Sequence, residues 1–145
     1  MAHRLKPFSF PKKLRLCATT EIETLYKKGS TFLRHPFKVT FLRDTEAQEG
    51  VIVLPKVIFI VPKRSFKRAV VRNLLRRRMR EAYRLNKGHF LDPATYQPAL
   101  PQIKFLSFYY VAKDILPYQA IEKKIISILL ILVSGSELEY IKPRK

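Results

Sequence analysis

Hydrophobic spacing divides this chain into segments of two periods. Ile22, Leu25 and Tyr26 stand at i, i+3, i+4 on one face of a short helix over Glu21–Lys28. Thr19 or Thr20 is placed to cap that helix, acids occupy its first turn, lysines its last, and Gly29 follows. From Phe37 the period drops to two. Phe37, Val39 and Phe41 alternate with Lys38, Thr40 and Leu42, which predicts a strand with one buried face. Val51–Val61 is rich in Val, Ile and Phe but interrupted by Pro55. Its second half, Val57–Val61, is the better strand, and the first half is an edge piece or part of a loop. Lys63–Lys87 returns to helical spacing, with Ser65 a candidate cap and Gly88 a natural stop. Ile103–Val111 is aromatic and β-branched, hence a strand. A last helix runs from near Pro117 to about Val133.

Between these elements lie a polar turn at Asp44–Gly50 and a proline-bearing loop at His89–Gln102. Met1–Leu16 carries five Lys/Arg, His3, Pro7 and Pro11, and is expected as an extended basic arm. Ser134–Lys145 is expected as a tail. The expected architecture is α/β (α+β): a two-layer sandwich with one mixed sheet of about four strands and three helices, order αβββαβα. We expect a single domain over 1–145, with its core at about 10–133, an arm at 1–9 and a tail at 134–145. The final helix is apolar nearly all round, so its outer face is expected to be covered by the tail or by a second copy.

Charge changes the picture most. Twenty-nine Lys/Arg against 11 Asp/Glu give a formal +18, a self-repelling excess that a polyanion would neutralise. The apolar run Ile125–Val133 is far short of the ~20 residues that span a bilayer. Neither a signal-peptide apolar stretch nor a multi-cysteine metal site is present, and the lone Cys17 reads as a small buried apolar residue in a reducing cytosol. A cytoplasmic protein is expected.

The charge is concentrated in KRSFKRAVVRNLLRRRMREAYRLNK, Lys63–Lys87, which holds eleven Lys/Arg and one acid, Glu81. At ~100° per residue, Arg72, Arg76, Arg80, Asn73, Arg84 and Arg77 fall within an arc of roughly 140°. Val70, Leu74, Val71, Ala82, Leu75 and Met79 take the opposite half, and Arg78 intrudes there, where it must snorkel or find a partner. Arg68, Arg72, Arg76, Arg80 and Arg84 repeat at i, i+4, which sets like charges about 6 Å apart and destabilises an isolated helix. Phosphates between the side chains remove that conflict, because guanidinium matches phosphate bidentately. A solvated helix face would interleave both signs, and a membrane-surface helix would want bulkier apolar anchors. Arginine at so many positions suits phosphates better than base edges, for which only Asn73 is apt, so DNA reading in a groove is disfavoured.

The same residues resemble the signature helix of the bacterial ribonuclease P protein family. The matching positions are Lys63, Arg64, Lys67, Arg68, Ala69, Val70, Arg72, Asn73, Arg76, Arg77, Arg80 and Glu81. FPKKLRL at Phe10–Leu16 is similar to that family's N-terminal motif, followed by a helix ending in Lys27–Ser30 and an aromatic strand around Phe37. The resemblance covers about Phe10–Val133. It implies a left-handed crossover between the strands flanking the basic helix, and RNA contact by Lys63, Arg64, Lys67, Arg68, Arg72, Asn73, Arg76, Arg77 and Arg80. It also implies a cleft for the single-stranded 5′ leader of precursor tRNA, to which we assign Tyr26, Lys38, Thr40, Lys12 and Arg15. The partners implied are ribonuclease P RNA and precursor tRNA, with neither membrane nor DNA, and the free protein is expected as a monomer or weak dimer. The RNA supplies the active site, so Mg²⁺ belongs to the RNA–protein holoenzyme and none is expected on the protein alone. The chain departs from the family at Leu74, where a second Arg is usual, at Ile22, where an aromatic is common, and at Thr40, where a leader-facing aromatic occurs.

Self-contained ribonuclease chemistry would need a histidine pair or a carboxylate cluster. His3, His35 and His89 are scattered, and the acids form no motif. The residues therefore point to a protein that binds while something else cuts, in agreement with the catalytic RNA that the resemblance implies. A ribosomal or other structural RNA-binding protein is the alternative. Replacing Arg72 and Arg76 is expected to weaken binding and flatten its salt dependence by about two phosphates' worth.

Overall fold

The computed structural model describes residues 14–43, 55–86 and 103–134. Its elements are α1 (Thr19–Lys28), β1 (Ser30–Arg34), β2 (Phe37–Arg43), β3 (Lys56–Ile60), α2 (Ala69–Asn86), β4 (Ile103–Tyr110) and α3 (Tyr118–Ser134). The order αβββαβα is the one expected. The fourth strand is β1, which the apolar pattern alone did not locate. The Asp44–Gly50 turn, Val51–Leu54, Gly88, the His89–Gln102 loop, the arm as far as Lys13 and the tail's Gly135–Lys145 lie outside the described residues.

The sheet runs β1-β2-β4-β3. β1 with β2 and β2 with β4 are antiparallel, whereas β3 and β4 are parallel and joined through α2. Period-two alternation gives each strand two unlike faces. One face presents Phe37, Val39, Phe41, Val57, Phe59, Leu106, Phe108 and Tyr110 to α2 and α3 in the main core. Phe59 and Phe108, register partners on the parallel pair, stack at 5.5 Å, and Tyr83 of α2 meets Phe59 edge-on at 5.8 Å. The other face carries α1 through a smaller cluster of Leu16, Leu25 and Phe105, with Ile22, Leu42 and Ile58 packed against it.

Several local expectations are corrected. α1 starts at Thr19 with Ala18 as its N-cap and no side-chain cap; instead the Thr24 hydroxyl donates to the Thr20 carbonyl. Gly29 does end α1, but in extended backbone. Glycine is required there by close approach, since a Cβ would press on the carbonyl oxygens of Leu25 and Phe41. Ser65 caps nothing. It lies in a turn where the N–H groups of Ser65 and Phe66 both donate to the Pro62 carbonyl. Burial of Phe66 against Tyr110 holds the chain off a helical path until Ala69, where the Arg68 carbonyl accepts the first helical bonds. Cys17 is exposed, because neighbouring Leu16 takes the inward position.

α3 buries Ile121, Ile125, Ile128, Leu129 and Leu132. Leu130 on its outer side is 49% exposed. The tail expected to cover that side, Gly135–Lys145, lies outside the described residues. No helix among those residues is long and apolar enough to cross a membrane.

Candidate functional site

Two surfaces gather the residues singled out by sequence. The first is α2 with the turn before it. Lys63, Arg64, Lys67 and Arg68 are all exposed on the Pro62–Arg68 segment, tethered from within by Phe66. Asn73, Arg77 and Arg80 are exposed on α2, and Arg76 is half-buried with its guanidinium donating to the Asn73 side-chain oxygen. Arg84 pairs with Glu81, donating from Nε at 3.0 Å, and that bond holds the Glu81 carboxyl below its usual value. Partial burial, then the charges of Arg15 and Arg76, lower the Arg80 guanidinium pKa. Arg15 thus joins the α2 cations from a different part of the chain. It is exposed and bridges in parallel to Val57 on the outer edge of β3, with the Leu16 N–H donating to the Val57 carbonyl at 2.9 Å.

The phase of α2 differs from the pattern. Its buried residues are Leu75, Met79, Ala82 and Tyr83, which span roughly 100° at ~100° per residue. Val70, assigned to the core face, is 79% exposed because it stands roughly opposite the centre of the buried arc, whereas Val71 packs against the core. Leu74 is half-buried. Arg72 lies inside the buried arc, and its Nη1 donates to the carbonyls of Phe66 and Lys67 at 2.8 and 2.9 Å. Arg78, which needed a partner, donates to the Leu116 carbonyl.

The second surface is the sheet face beside α1. Tyr26 is fixed there by a 2.8 Å hydrogen bond between its hydroxyl and that of Ser107. Thr31, Thr40, Ser107 and Ile58 form one cross-strand row, and Leu33, Lys38, Tyr109 and Ile60 form the next. Thr40 is only 2% exposed and its hydroxyl meets that of Thr31 at 3.1 Å, so it shapes the floor and does not reach a ligand directly. Lys38 shares the face of Thr40 by period two, but unlike Thr40 it is exposed. Lys12 lies outside the described residues, and Ile22 is absorbed in packing with α1's own cluster. Sequence reasoning missed Leu33, Ile60 and Tyr109, which surround Lys38 only once the register is known. Tyr109 is half-buried and offers an aromatic face beside a lysine, the pairing that single-stranded nucleic acid uses.

Among the described residues no three His, Cys, Asp or Glu come together in a way that could hold a metal ion. His35 is exposed in the β1–β2 turn, before a cis peptide bond to Pro36; His3 and His89 lie outside the described residues.

Comparison with known proteins gives the family and the fold. The family described as Ribonuclease P matches residues 10–115. The ribonuclease P protein component of Porphyromonas gingivalis strain W83 is 31% identical over 116 residues, 80% of each chain. That of Petrotoga mobilis is 32% identical over 82 residues, 57% of this chain and 64% of its own. Among solved structures, the Staphylococcus aureus RNase P protein superposes with a TM-score of 0.61 at 22% identity, over 83% of this chain and 97% of that one. The Thermotoga maritima RNase P protein gives 0.61 at 19%, over 80% and 94%. At these identities the structural likeness speaks for the fold.

Proposed function

This chain belongs to the ribonuclease P protein family, and we propose that its α2 face and Pro62–Arg68 turn dock on ribonuclease P RNA while the sheet face beside α1 receives the 5′ leader of precursor tRNA. The family supplies the RNA-binding protein component of an endoribonuclease of tRNA 5′ processing, and that is the role of this chain; nothing favours the ribosomal alternative. The observation that carries the proposed docking is the set of exposed cations, Lys63, Arg64, Lys67, Arg68, Arg77 and Arg80, with Asn73 and Arg76 beside them. No acid stands between Lys63 and Arg80 in the sequence. Such a face binds phosphate and adds little to the stability of the free fold.

On the second surface, Tyr26 and Lys38 are the leader contacts, with Thr40 acting through the floor beneath; Arg15, at the β3 edge beside the α2 cations, and Lys12 are further leader contacts by resemblance to the family. Tyr109 joins them as a stacking platform worth ~1–3 kcal/mol for one base. Magnesium is hard and asks for several oxygen ligands. The described residues do not fit it, so we assign the Mg²⁺ of the reaction to the RNA and route no step through the protein. A cytoplasmic protein of one domain, monomeric or weakly dimeric when free, completes the proposal.

Reconstitution tests it. The protein is mixed with a bacterial ribonuclease P RNA and a precursor tRNA at low Mg²⁺, and leader release is followed with each part omitted in turn. Cleavage that needs the RNA and is rescued by the protein is the expected result, with precursor held more tightly than mature tRNA. Equal affinity for the two would remove the leader surface from the reading. Failure to bind that RNA at any salt would remove the docking face.

A further inference from the structure

We infer that Arg72 is a positioning residue: it braces the cationic Pro62–Arg68 turn from below and contributes to RNA binding through that turn, not through a phosphate of its own. The inference rests on the docking face proposed above and changes what one of its arginines does.

Three observations carry it. Arg72 stands three residues before Leu75, seven before Met79 and eleven before Tyr83, all of them fully buried or nearly so. That spacing puts it on the core stripe of α2, one turn before the stripe fills with apolar side chains. Its Nη1 donates to the carbonyls of Phe66 and Lys67, at 2.8 and 2.9 Å. These carbonyls belong to neither a helix nor a strand, so a side chain satisfies groups that the backbone ladder does not reach. Finally, the braced turn carries Lys63, Arg64, Lys67 and Arg68, all exposed, around the single buried anchor Phe66.

Like charges crowded on a short irregular segment would spread it if only Phe66 held it. Charge-assisted bonds to two successive carbonyls fix the backbone from which Lys67 and Arg68 project. The ordering of the turn is then complete before RNA arrives and is not subtracted from affinity on binding. The two hydrogens of Nη1 are directed into the protein, which removes the fork that guanidinium would otherwise offer to phosphate through both terminal nitrogens. Arg76 and Arg84 differ, since each bonds a side chain of its own helix.

Arg72→Met keeps the aliphatic stem in the core stripe and deletes the donors. Hydrogen exchange on the free protein is the first arm. The amides of Ser65 and Phe66 should exchange on the order of tenfold faster, while Leu75–Tyr83 stays protected. Unchanged exchange in the turn would overturn the brace. The second arm measures affinity for ribonuclease P RNA across salt in the wild type, R72M, the pair Lys67→Ala with Arg68→Ala, and the triple variant. R72M should weaken binding by roughly tenfold with its log–log salt slope unchanged, and by under about twofold when Lys67 and Arg68 are already gone. A slope lowered by about 0.7–0.9, with the full loss persisting in the triple variant, would make Arg72 a direct phosphate ligand. A wild-type protein that does not bind the RNA would overturn the docking face itself. The exchange arm would still decide whether Arg72 braces the turn.

Discussion

Replacing Arg77 and Arg80 together with alanine separates RNA binding from folding on one helix face. Both side chains are exposed, and neither enters the buried arc of α2. Each phosphate contact contributes roughly 0.7–0.9 to the slope of log K against log salt. Loss of two contacts should therefore lower the slope by about 1.4–1.8. Over a fourfold rise in salt, the wild-type protein should lose about seven- to twelvefold more affinity for ribonuclease P RNA than the double variant. Stability of the free protein should move the other way or not at all. Arg80 has Arg76 one turn before it and Arg15 nearby, and both charges depress its pKa after burial has done so. Relief of a like-charge i, i+4 pair is worth a few tenths of a kcal/mol in an isolated helix, and less where solvent screens it. Binding isotherms at four salt concentrations, with a thermal melt of each free protein, test both halves. An unchanged slope would take this face out of the RNA contact. A large drop in melting temperature would show that the two arginines serve the fold.

Other consequences are narrower. Leu75→Ala opens a cavity at a fully buried position and should cost about 2–5 kcal/mol in denaturant unfolding, leaving the salt slope of the surviving folded fraction unaltered. Gly29→Ala should destabilise by over ~1 kcal/mol, because the new methyl meets the backbone carbonyls of Leu25 and Phe41, which cannot rotate away; a neutral result would mean that α1 shifts freely on the sheet. Burial first, then its hydrogen bond to Glu122, raises the Tyr118 hydroxyl to about 12 from the ordinary 10.0. The folded state thus retains this proton after the unfolded chain has released it. The contribution is present in full below pH 10 and is lost as pH rises towards 12. Spectrophotometric titration should lose one late phenolate step, at about 12, in Tyr118→Phe, while the late steps of Tyr83 and Tyr110, also raised by burial, remain; an unchanged titration curve in the variant would refute the assignment to Tyr118.

Most of the fold was legible because the buried strands alternate cleanly and the helices carry continuous apolar stripes. β1 was not, and the reason is local. Of Ser30–Arg34 only Phe32 is buried, Leu33 is 60% exposed, and one inward residue cannot establish a period. The caps failed for a related reason. Hydroxyl residues stood where a cap was wanted, but the burial of Phe66 and Leu16 decided where the chain could turn, and such anchors are invisible until the sheet they dock on exists.

The candidate site was legible as a set of residues and less so as a face. Counting arginines around α2 finds the side of the helix that stays exposed, because the sum of so many like charges outweighs an error in phase. It misassigns the residues at the border. Arg72 extends the i, i+4 run of the phosphate-facing arginines, yet it equally extends the Leu75, Met79, Tyr83 stripe at i, i+3, i+7, i+11. An arginine can satisfy both patterns, its stem lying in an apolar stripe while its head finds carbonyls. What decides between them is the backbone before the helix, where Phe66 and Lys67 leave two carbonyls that a helical start at Ser65 would have oriented differently. The second surface was harder. Lys38 and Tyr109 are register partners 71 positions apart in sequence, so only strand pairing brings an aromatic to the lysine.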